Sequence, residues 1–281
     1  MARSLTVNKV AEFDAIVKQA YQKSSILRGA VRVKTGVVGA TVQFPLFGKG
    51  LATPRLPQTD VIPMNVQQSH VIATLEDWNA PEYTDIFDQQ KVNYSERAEL
   101  ATTIAMAIGR RQDQLILDAL TAAVTAGGIA GTSPSSVMTL AKLTDVGEYF
   151  DDKGVPESER HLVWSPKAKK QMMADPKATS ADYNAMRVLQ NGTFNEYYGF
   201  TFHMIETRAE GGLIKSSGNV RSCFGFHGGS RGSTALAVGI DFRATVDWIA
   251  EKTSWLSNGL FSAGSTVIDP EGVVSVLVNE S

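Results

Sequence analysis

A glycine-rich pentapeptide is the best candidate for chemistry in this sequence. Residues 228–232, Gly-Gly-Ser-Arg-Gly, fit the G-x-S-x-G pattern that places a serine nucleophile on a sharp turn between a strand and a helix. The hydrolase order also requires an acid and then a histidine further along the chain. No histidine follows His227, and no helix is indicated after Gly232. The pattern therefore favours a glycine-rich loop over a serine hydrolase that uses Ser230.

The sequence contains few of the motifs that bind metal ions or phosphate groups. Cys223 and His227 could both contact a metal ion, but no second pair at ligand spacing accompanies them, and the other histidines are scattered. The segment Gly48-Lys49-Gly50 lacks the upstream glycine and the hydroxyl of a phosphate-binding loop, and no dinucleotide fingerprint is present. We therefore expect no enzyme activity, no cofactor and no metal site.

The composition is that of an ordinary globular protein with a core of its own. The chain has 281 residues, of which 43% are hydrophobic and 20% are charged. Cys223 is the single cysteine, so no internal disulfide can form, and a reducing cytoplasm is the expected environment. The first residues lack the apolar core of a signal peptide, and no stretch approaches about 18 uncharged apolar residues. We therefore expect neither export by that route nor contact with a membrane interior.

The net charge of −2 hides a segregation of charge between two successive segments. The segment 28–55 carries bases and no acid, and these bases are Arg28, Arg32, Lys34, Lys49 and Arg55. The segment 76–88 carries acids and no base, and these acids are Glu76, Asp77, Glu82, Asp85 and Asp88. Opposite patches of this kind can meet within one chain or between copies. The alternative is two solvated loops of unlike sign, because exposed ion pairs contribute little.

The elements that must position these groups are organised around one long helix. From Asn93 to Gly128 apolar residues recur at spacings of three, four and seven, while Asp113 and other charged residues fall largely off that line. Asn93 and Glu96 form a capping-box pattern, and Gly127-Gly128 offers a left-handed end. At 1.5 Å per residue the helix would be roughly 50 Å long. Such a rod suits an extended plate better than a compact ball.

The segments before this helix predict an arm and a hairpin that cannot be stable alone. Residues 6–24 have the spacing of an amphipathic helix. Residues 31–47 are β-prone, with Gly48-Lys49-Gly50 as the predicted hairpin tip, and a further strand is expected at 66–75. A basic, glycine-rich hairpin with few core residues is marginal as an isolated unit in water. We therefore infer an extended loop that a neighbour stabilises.

The chain after the helix predicts a mixed α/β block followed by long strands. Residues 140–150 read as a helix closed by a glycine at 154, residues 161–164 as a buried strand, and Ser165-Pro166 as the start of another helix. Later strands are expected at 197–205, 235–248 and 266–278, the last of these interrupted by a turn at 269–272. The order predicts an α+β fold whose last strands return to the long helix.

This order of elements resembles the major capsid proteins of tailed bacteriophages, which have the Hong Kong 97-type fold, and it is most similar to those of short-tailed phages. The resemblance covers nearly the whole chain. The segments that carry it are Tyr21–Leu27, Val42–Pro45, Gly48–Gly50, Arg110–Asp113 and Tyr198–Phe200.

The resemblance implies a division of the chain into the parts of such a fold. Residues 1–27 would be the N-arm, and residues 28–60 the extended β-hairpin called the E-loop. Residues 61–132 would begin the peripheral domain, with its spine helix at 94–126. Residues 133–220 would form the axial domain, and residues 221–281 would return mainly to the peripheral domain.

The resemblance also implies a structural role. Copies would assemble as hexamers and pentamers into an icosahedral virion shell around double-stranded DNA, which they would bind without sequence preference. Assembly would take place in the host cytoplasm, with a separate scaffolding protein and a portal. The E-loop bases would contact the 76–88 acids of a neighbouring copy. The alternative is the shell protein of an encapsulin, a bacterial nanocompartment, and a neighbouring portal gene or peroxidase gene would distinguish the two.

These charges give a first testable prediction. Changing Arg32→Glu together with Arg55→Glu should block shell formation and leave a folded monomer, because the reversed bases would repel the acids of the next copy. Electron microscopy and size-exclusion chromatography measure the outcome. Unchanged assembly of the double variant would contradict the expected contact.

Overall fold

The computed structural model describes residues 22–92, 95–127, 136–175 and 196–280. Its helices are α1 (Ile86–Gln89), α2 (Glu96–Gly127), α3 (Leu140–Lys153) and α4 (Pro166–Ala174). Its strands up to the second helix are β1 (Arg32–Lys34), β2 (Thr41–Phe47), β3 (Gln68–Thr74) and β4 (Glu76–Asp85). The later strands are β5 (Arg160–Trp164), β6 (Glu196–Tyr197), β7 (Phe200–Met204), β8 (Lys215–Ser217), β9 (Val220–His227), β10 (Thr234–Ile249), β11 (Ser254–Val267) and β12 (Val273–Asn279).

The predicted long helix is present as α2, which has 32 residues and is therefore about 48 Å long. Glu96 and Glu99 lie in its first turn, where negative charge is favourable beside the exposed N–H groups. Its first half buries Ile104 and Ile108, whereas residues 115–117 in its second half are buried on several sides. The capping residue Asn93, the glycine at 128 and the arm up to residue 21 lie outside the described residues.

The expectation from helical spacing is wrong for Asp113, which does not lie on the solvent-exposed face of the helix but is completely buried. Its carboxylate accepts hydrogen bonds from the Ser25 hydroxyl at 2.9 Å and from the backbone N–H groups of Ile26 and Leu27 at 3.0 Å. It also pairs with the Arg208 guanidinium at 2.7 Å. A carboxylate can be buried only when it is paired and hydrogen-bonded in this way. Asp113 therefore fixes residues 25–27 onto the long helix.

A four-stranded sheet, the first sheet, lies against the long helix in the order β1, β10, β11, β4. β1 runs parallel to β10, and the other neighbours are antiparallel. β11 was not predicted, because its sequence SWLSNGLFSAGSTV is rich in serine and glycine. One of those glycines, Gly259, has a packing role: a Cβ atom there would lie 2.4 Å from Ile104 of the helix. The helix and the sheet can therefore approach closely at this point.

A second sheet has the order β12, β9, β5, β7, β6, and β8 pairs with β9. α3 packs on it through residues that include Val146 and Phe150, both within 3.6 Å of a Cβ atom built on Gly225 of β9. The sequence assigned residues 221–281 mainly to the unit around the long helix. Of the strands in this range, β10 and β11 lie in the first sheet, whereas β9 and β12 belong to the second sheet and lie beside the strands of the middle block. Both strands have mostly buried side chains, and such continuous apolar runs do not indicate which sheet they join.

The local signals in the middle block are confirmed. α3 ends at Gly154, which has the left-handed conformation with φ of 72°. Ser165 caps α4, since its hydroxyl accepts from the Ala168 N–H, and Pro166 occupies the first turn. The predicted strand at 197–205 is divided by a turn at Tyr198 and Gly199, both with positive φ, so that β6 and β7 form a small hairpin.

The basic hairpin is present, but its predicted tip at Gly48-Lys49-Gly50 is wrong. β2 pairs with β3, with Thr41 opposite Thr74 and Phe47 opposite Gln68, so the whole segment 48–67 is the connecting loop. The Gly48 N–H donates to the Gln67 carbonyl at 2.8 Å and closes the ladder. The loop contains three prolines, whose missing N–H groups cannot take part in a strand ladder. The returning strand therefore begins only after the last proline.

The burial of Asp113 can be tested against a matched position on the same helix. Asp113→Ala should lower the free energy of unfolding by about 3–5 kcal/mol, because it leaves a buried guanidinium and buried N–H groups without their acceptor. Asp118→Ala is the control, since Asp118 is exposed. Urea denaturation followed by circular dichroism measures both variants. Equally small losses of unfolding free energy in both variants would show that residues 25–27 are not held through this carboxylate.

Candidate inter-subunit surface

The base of the β2–β3 hairpin packs on the body of its own chain. Val42, Phe44 and Ala73 of the hairpin are buried against the first sheet and the residues that follow it. The contacted residues are Ala235, Ala237 and Ile268. The hairpin is therefore rooted firmly, and its position relative to the body is defined at this end.

The other end of the hairpin exposes a set of large apolar side chains. Leu51 is 84% exposed and Val61 is 76% exposed. The further exposed members of this set, which we call the apolar loop, are Phe47, Leu56, Ile62 and Met64. Monomeric proteins rarely leave such a contiguous apolar surface in water, and surfaces of this kind mark interaction sites. The apolar loop is the part of the described chain that most clearly requires a partner.

The predicted basic residues do not all point away from their own chain. The Arg28 guanidinium contacts the Asp241 carboxylate at 2.6 Å, and this hydrogen bond lowers the pKa of Asp241. Lys49 contacts Glu271 at 2.7 Å, which likewise lowers the pKa of Glu271. Both pairs are solvent-exposed, so each contributes little to stability. Sequence reasoning missed these two acids, which are more than 200 positions away in the chain.

Of the other three bases, Arg32 and Lys34 lie on β1 beside the hairpin, and Arg55 lies in the hairpin loop. The guanidinium of Arg32 and the ammonium of Lys34 lie 5.5 Å and 6.0 Å from the ring centre of Phe44. Arg55 is exposed in the apolar loop, between two prolines. A base that stacks on the hairpin has an apolar body against it and its charge near water. Arg55 is thus the base best placed to reach another molecule.

The predicted acidic residues lie on β4 and α1, along one edge of the first sheet. Glu76, Asp77 and Glu82 are exposed, and no described base pairs with them. Asp85 accepts from the Phe87 N–H as the cap of α1, and Asp88 pairs with Lys91 at 2.7 Å. Among the described residues no ion pair joins the basic group to this acidic group. The contact between the two groups in neighbouring copies stays a prediction.

Aromatic side chains cover the same end of the first sheet. Trp248 and Trp255 face each other across β10 and β11 with ring centres 5.3 Å apart. The Arg97 guanidinium lies 4.9 Å from the Trp255 ring, and the Lys252 ammonium lies 4.0 Å from the Tyr83 ring. Trp248 and Tyr83 remain more than 40% exposed. This end of the sheet therefore combines apolar area with Glu82 and Asp85 of β4, whereas Glu76 and Asp77 lie at the other end of that strand.

The G-x-S-x-G segment is a crossover between the two sheets and not a nucleophile elbow. It joins β9 to β10, so a strand and not a helix follows it, and Ser230 is exposed. Gly228 is the packed residue of the segment: a Cβ atom there would lie 2.2 Å from the Ala30 carbonyl oxygen and 2.4 Å from His161. The pattern therefore reflects a packing requirement.

The remaining candidates for chemistry have structural surroundings. Cys223 is fully buried in the second sheet, and burial raises the pKa of its thiol to about 12, so little reactive thiolate forms. Within residues 22–92, 95–127, 136–175 and 196–280, no three His, Cys, Asp or Glu side chains are grouped so that they could hold a metal ion. In the same part of the chain, none of the helices has both the length and the apolar character to cross a bilayer.

Comparison with known proteins agrees with this architecture. A sequence model of the family described as phage capsid protein matches residues 5–280. The fold is similar to the capsid structure of the cyanophage P-SCSP1u, with a TM-score of 0.77 and 13% identity over 100% of this chain and 96% of that chain. It is also similar to the head structure of Helicobacter pylori bacteriophage KHP40, with a TM-score of 0.78 and 10% identity over 99% and 98%. No curated protein sequence matches. The resemblance and the α+β capsid fold are confirmed.

The packing of Gly228 gives a prediction with an internal control. Gly228→Ala should lower the free energy of unfolding by about 1–3 kcal/mol, because the new methyl group would overlap the Ala30 carbonyl and the His161 ring. Gly29→Ala is the control, since a Cβ atom at Gly29 meets nothing within 4 Å. Thermal unfolding of both variants measures the difference. A Gly228→Ala protein as stable as the control would contradict the close packing.

Proposed function

The chain belongs to the phage capsid protein family, and from this premise we propose that its copies assemble as hexamers and pentamers into an icosahedral shell around double-stranded DNA. As a phage capsid protein it is a structural component of the virion and not an enzyme. Closed symmetry makes many modest contacts act together, so that a stable container does not need a strong single interface. The enclosed DNA would be contacted by basic side chains without sequence preference.

The apolar loop is the observation that carries this proposal. Each large apolar side chain that moves from water into an interface contributes about 1.5–3 kcal/mol. Leu51, Leu56, Val61 and Ile62 lie on a loop whose root is fixed by the buried contacts of Phe44, so this surface is held out at a defined place. In a shell, the same loop on every copy would cover the next copy in turn. That repetition supports a role in assembly.

We assign the parts of the capsid fold to the elements as follows. The chain up to residue 27 is the N-arm, and the E-loop comprises the β2–β3 hairpin, which begins at Thr41, after β1, and extends beyond the expected residue 60 to Thr74. The peripheral domain comprises α2 and the first sheet, and the axial domain comprises the second sheet with α3 and α4. The last part of the chain contributes strands to both sheets, so it crosses the boundary twice, between β9 and β10 and again between β11 and β12.

We further propose that electrostatic attraction orients the hairpin on its neighbour. The loop carries Arg55, and β4 of the next copy would present Glu82 beside the aromatic end of its sheet and Glu76 and Asp77 at the other end of the strand. Charges of this kind mainly set the register and the rate of association, while apolar contact supplies the affinity. Arg28 and Lys49, which have acids of their own chain within 2.7 Å, would contribute less to such a contact than Arg55.

The remaining partners follow from the same family membership. Assembly would take place in the host cytoplasm, with a separate scaffolding protein and a portal. Electron microscopy tests the main proposal on the purified protein and on the protein coexpressed with its neighbouring genes: closed shells of uniform size in either sample support it, and a protein that stays monomeric at all concentrations in both samples contradicts it. Shells that enclose a protein in place of DNA in their natural host would instead indicate a nanocompartment.

The role of the apolar loop can be separated from folding. Leu56→Ser with Ile62→Ser should abolish shells and leave the free energy of unfolding within about 0.5 kcal/mol of the parent, because both side chains are 68% exposed. Ile214→Ser is the matched control, an exposed apolar residue outside the hairpin. Electron microscopy scores shells, and thermal unfolding scores folding. If the double variant formed as many shells as the parent protein, the apolar loop would not be part of the assembly interface.

A further inference from the structure

Three of the four histidines, which are scattered in the sequence, come together on neighbouring strands of the second sheet. His161 lies on β5, His203 on β7 and His227 on β9. The His203 Nε2 atom lies 3.0 Å from the His161 Nδ1 atom, within hydrogen-bond distance, and the ring centres are 5.0 Å apart. The His161 ring also packs 5.5 Å from the ring of Phe226. Nothing in the spacing of these residues along the chain signals this pair.

The pair lies beside the joint between the two sheets. Two chain segments cross from sheet to sheet at this point, residues 228–233 and residues 268–272, and Ser233 binds them together. The carbonyl of Ser233 accepts from the Ile268 N–H at 2.7 Å, and its own N–H donates to the His227 carbonyl at 2.9 Å. The His161 ring packs directly against Gly228 at the start of the first crossover. The ring and the backbone of the first crossover are therefore in close contact.

The charged groups around the histidines come from each packed element. Asp113 of α2, itself paired with Arg208, faces His203 and favours its charged form. Burial lowers the pKa of His227, while Glu159 and Arg160, at the start of β5, have smaller and opposite effects, Glu159 raising that pKa and Arg160 lowering it.

On its outer side His227 lines a cleft of about 230 Å³ with bases and acids in near balance. The charged side chains of this cleft are Lys49, Lys153, Arg231, Asp269 and Glu271. These charged groups are not among the causes of the lowered pKa of His161, which are its burial and then the two other histidines.

The electrostatic environment favours the neutral pair. Burial, followed by the neighbouring His203 and His227, lowers the pKa of His161 to about 4. Burial also lowers the pKa of His203, against the opposing effect of Asp113. Because these pKa values are lower in the closed joint than in an opened one, the opened joint binds more protons in acid. The contribution of the pair is present above about pH 6.5 and is lost as the pH falls toward 4.

We propose that the His161–His203 pair is a pH-sensitive joint that loosens the connection between the two sheets on acidification. In the neutral pair one ring nitrogen donates its proton to the lone pair of the other. When both rings are protonated, both facing nitrogens carry N–H groups and both rings carry positive charge, so they separate. Separation of the rings removes the packing against Gly228 and frees the crossover.

Hydrogen exchange of the full chain, measured by mass spectrometry on peptides that cover residues 228–233, tests the joint. After correction for the intrinsic pH dependence, opening of the wild-type crossover should rise by about 50-fold between pH 7 and pH 4.5, as expected for one histidine whose pKa changes from 6.5 to about 4. A variant with His161→Gln and His203→Gln should show a clearly smaller rise than the wild type, because it lacks the titrating pair and keeps only His227, whose pKa burial also lowers.

The control for this experiment is His70→Gln, which removes the fourth histidine, an exposed residue of β3. It should retain the full pH response of the wild type. A double variant that opens in acid as strongly as the wild type would overturn the proposal, and so would a wild type without acid-induced opening.

A second measurement does not depend on the folding of any variant. Nuclear magnetic resonance titration of the wild-type chain with labelled histidine should show the His161 ring titrating near pH 4 and the His203 ring titrating below its ordinary value, with the signals of the two rings shifting together. Independent titration of all four rings near their ordinary value would overturn the proposal, whatever the variants do.

Discussion

The buried carboxylate of Asp113 holds together three parts of the chain that are distant in sequence. It binds the backbone at residues 26–27 and the guanidinium of Arg208, and it belongs to the helix that packs on the first sheet. Because a buried charge tolerates no missing partner, this point fixes where the chain enters the body and where the loop after β7 lies. Residues 27–31 then lead into β1, so the same anchor sets the start of the first sheet.

The anchor also helps to position the root of the hairpin. β1 pairs with β10, and β2 follows after a few residues, so the root of the hairpin is positioned by the first sheet while the apolar side chains of its loop stay exposed. The fixed root and the apolar loop together explain how the chain can present a contact surface at a defined place. A hairpin without buried root contacts would sample many directions and would lose this advantage to conformational entropy.

Sequence reasoning succeeded where the signal is local. The long helix, the glycine at the end of α3 and the serine cap of α4 are encoded within a few residues of where they act. It failed where the cause is distant: the donors that bury Asp113 come mostly from residues 86–95 positions away, and the two rings of the histidine pair are 42 positions apart. β11 was missed for a different reason. Its serines and glycines have low strand propensity, and the close contact with the helix that they permit cannot be read from propensity.

The exposure of the apolar loop also has a consequence for the free chain. Every newly made copy carries an adhesive surface before any neighbour is available to cover it, and such surfaces associate indiscriminately as concentration rises. The time that a copy can wait in solution is therefore limited. Supply of the protein and growth of the particle must be balanced, since surplus copies would be lost to disordered aggregates that use the same side chains.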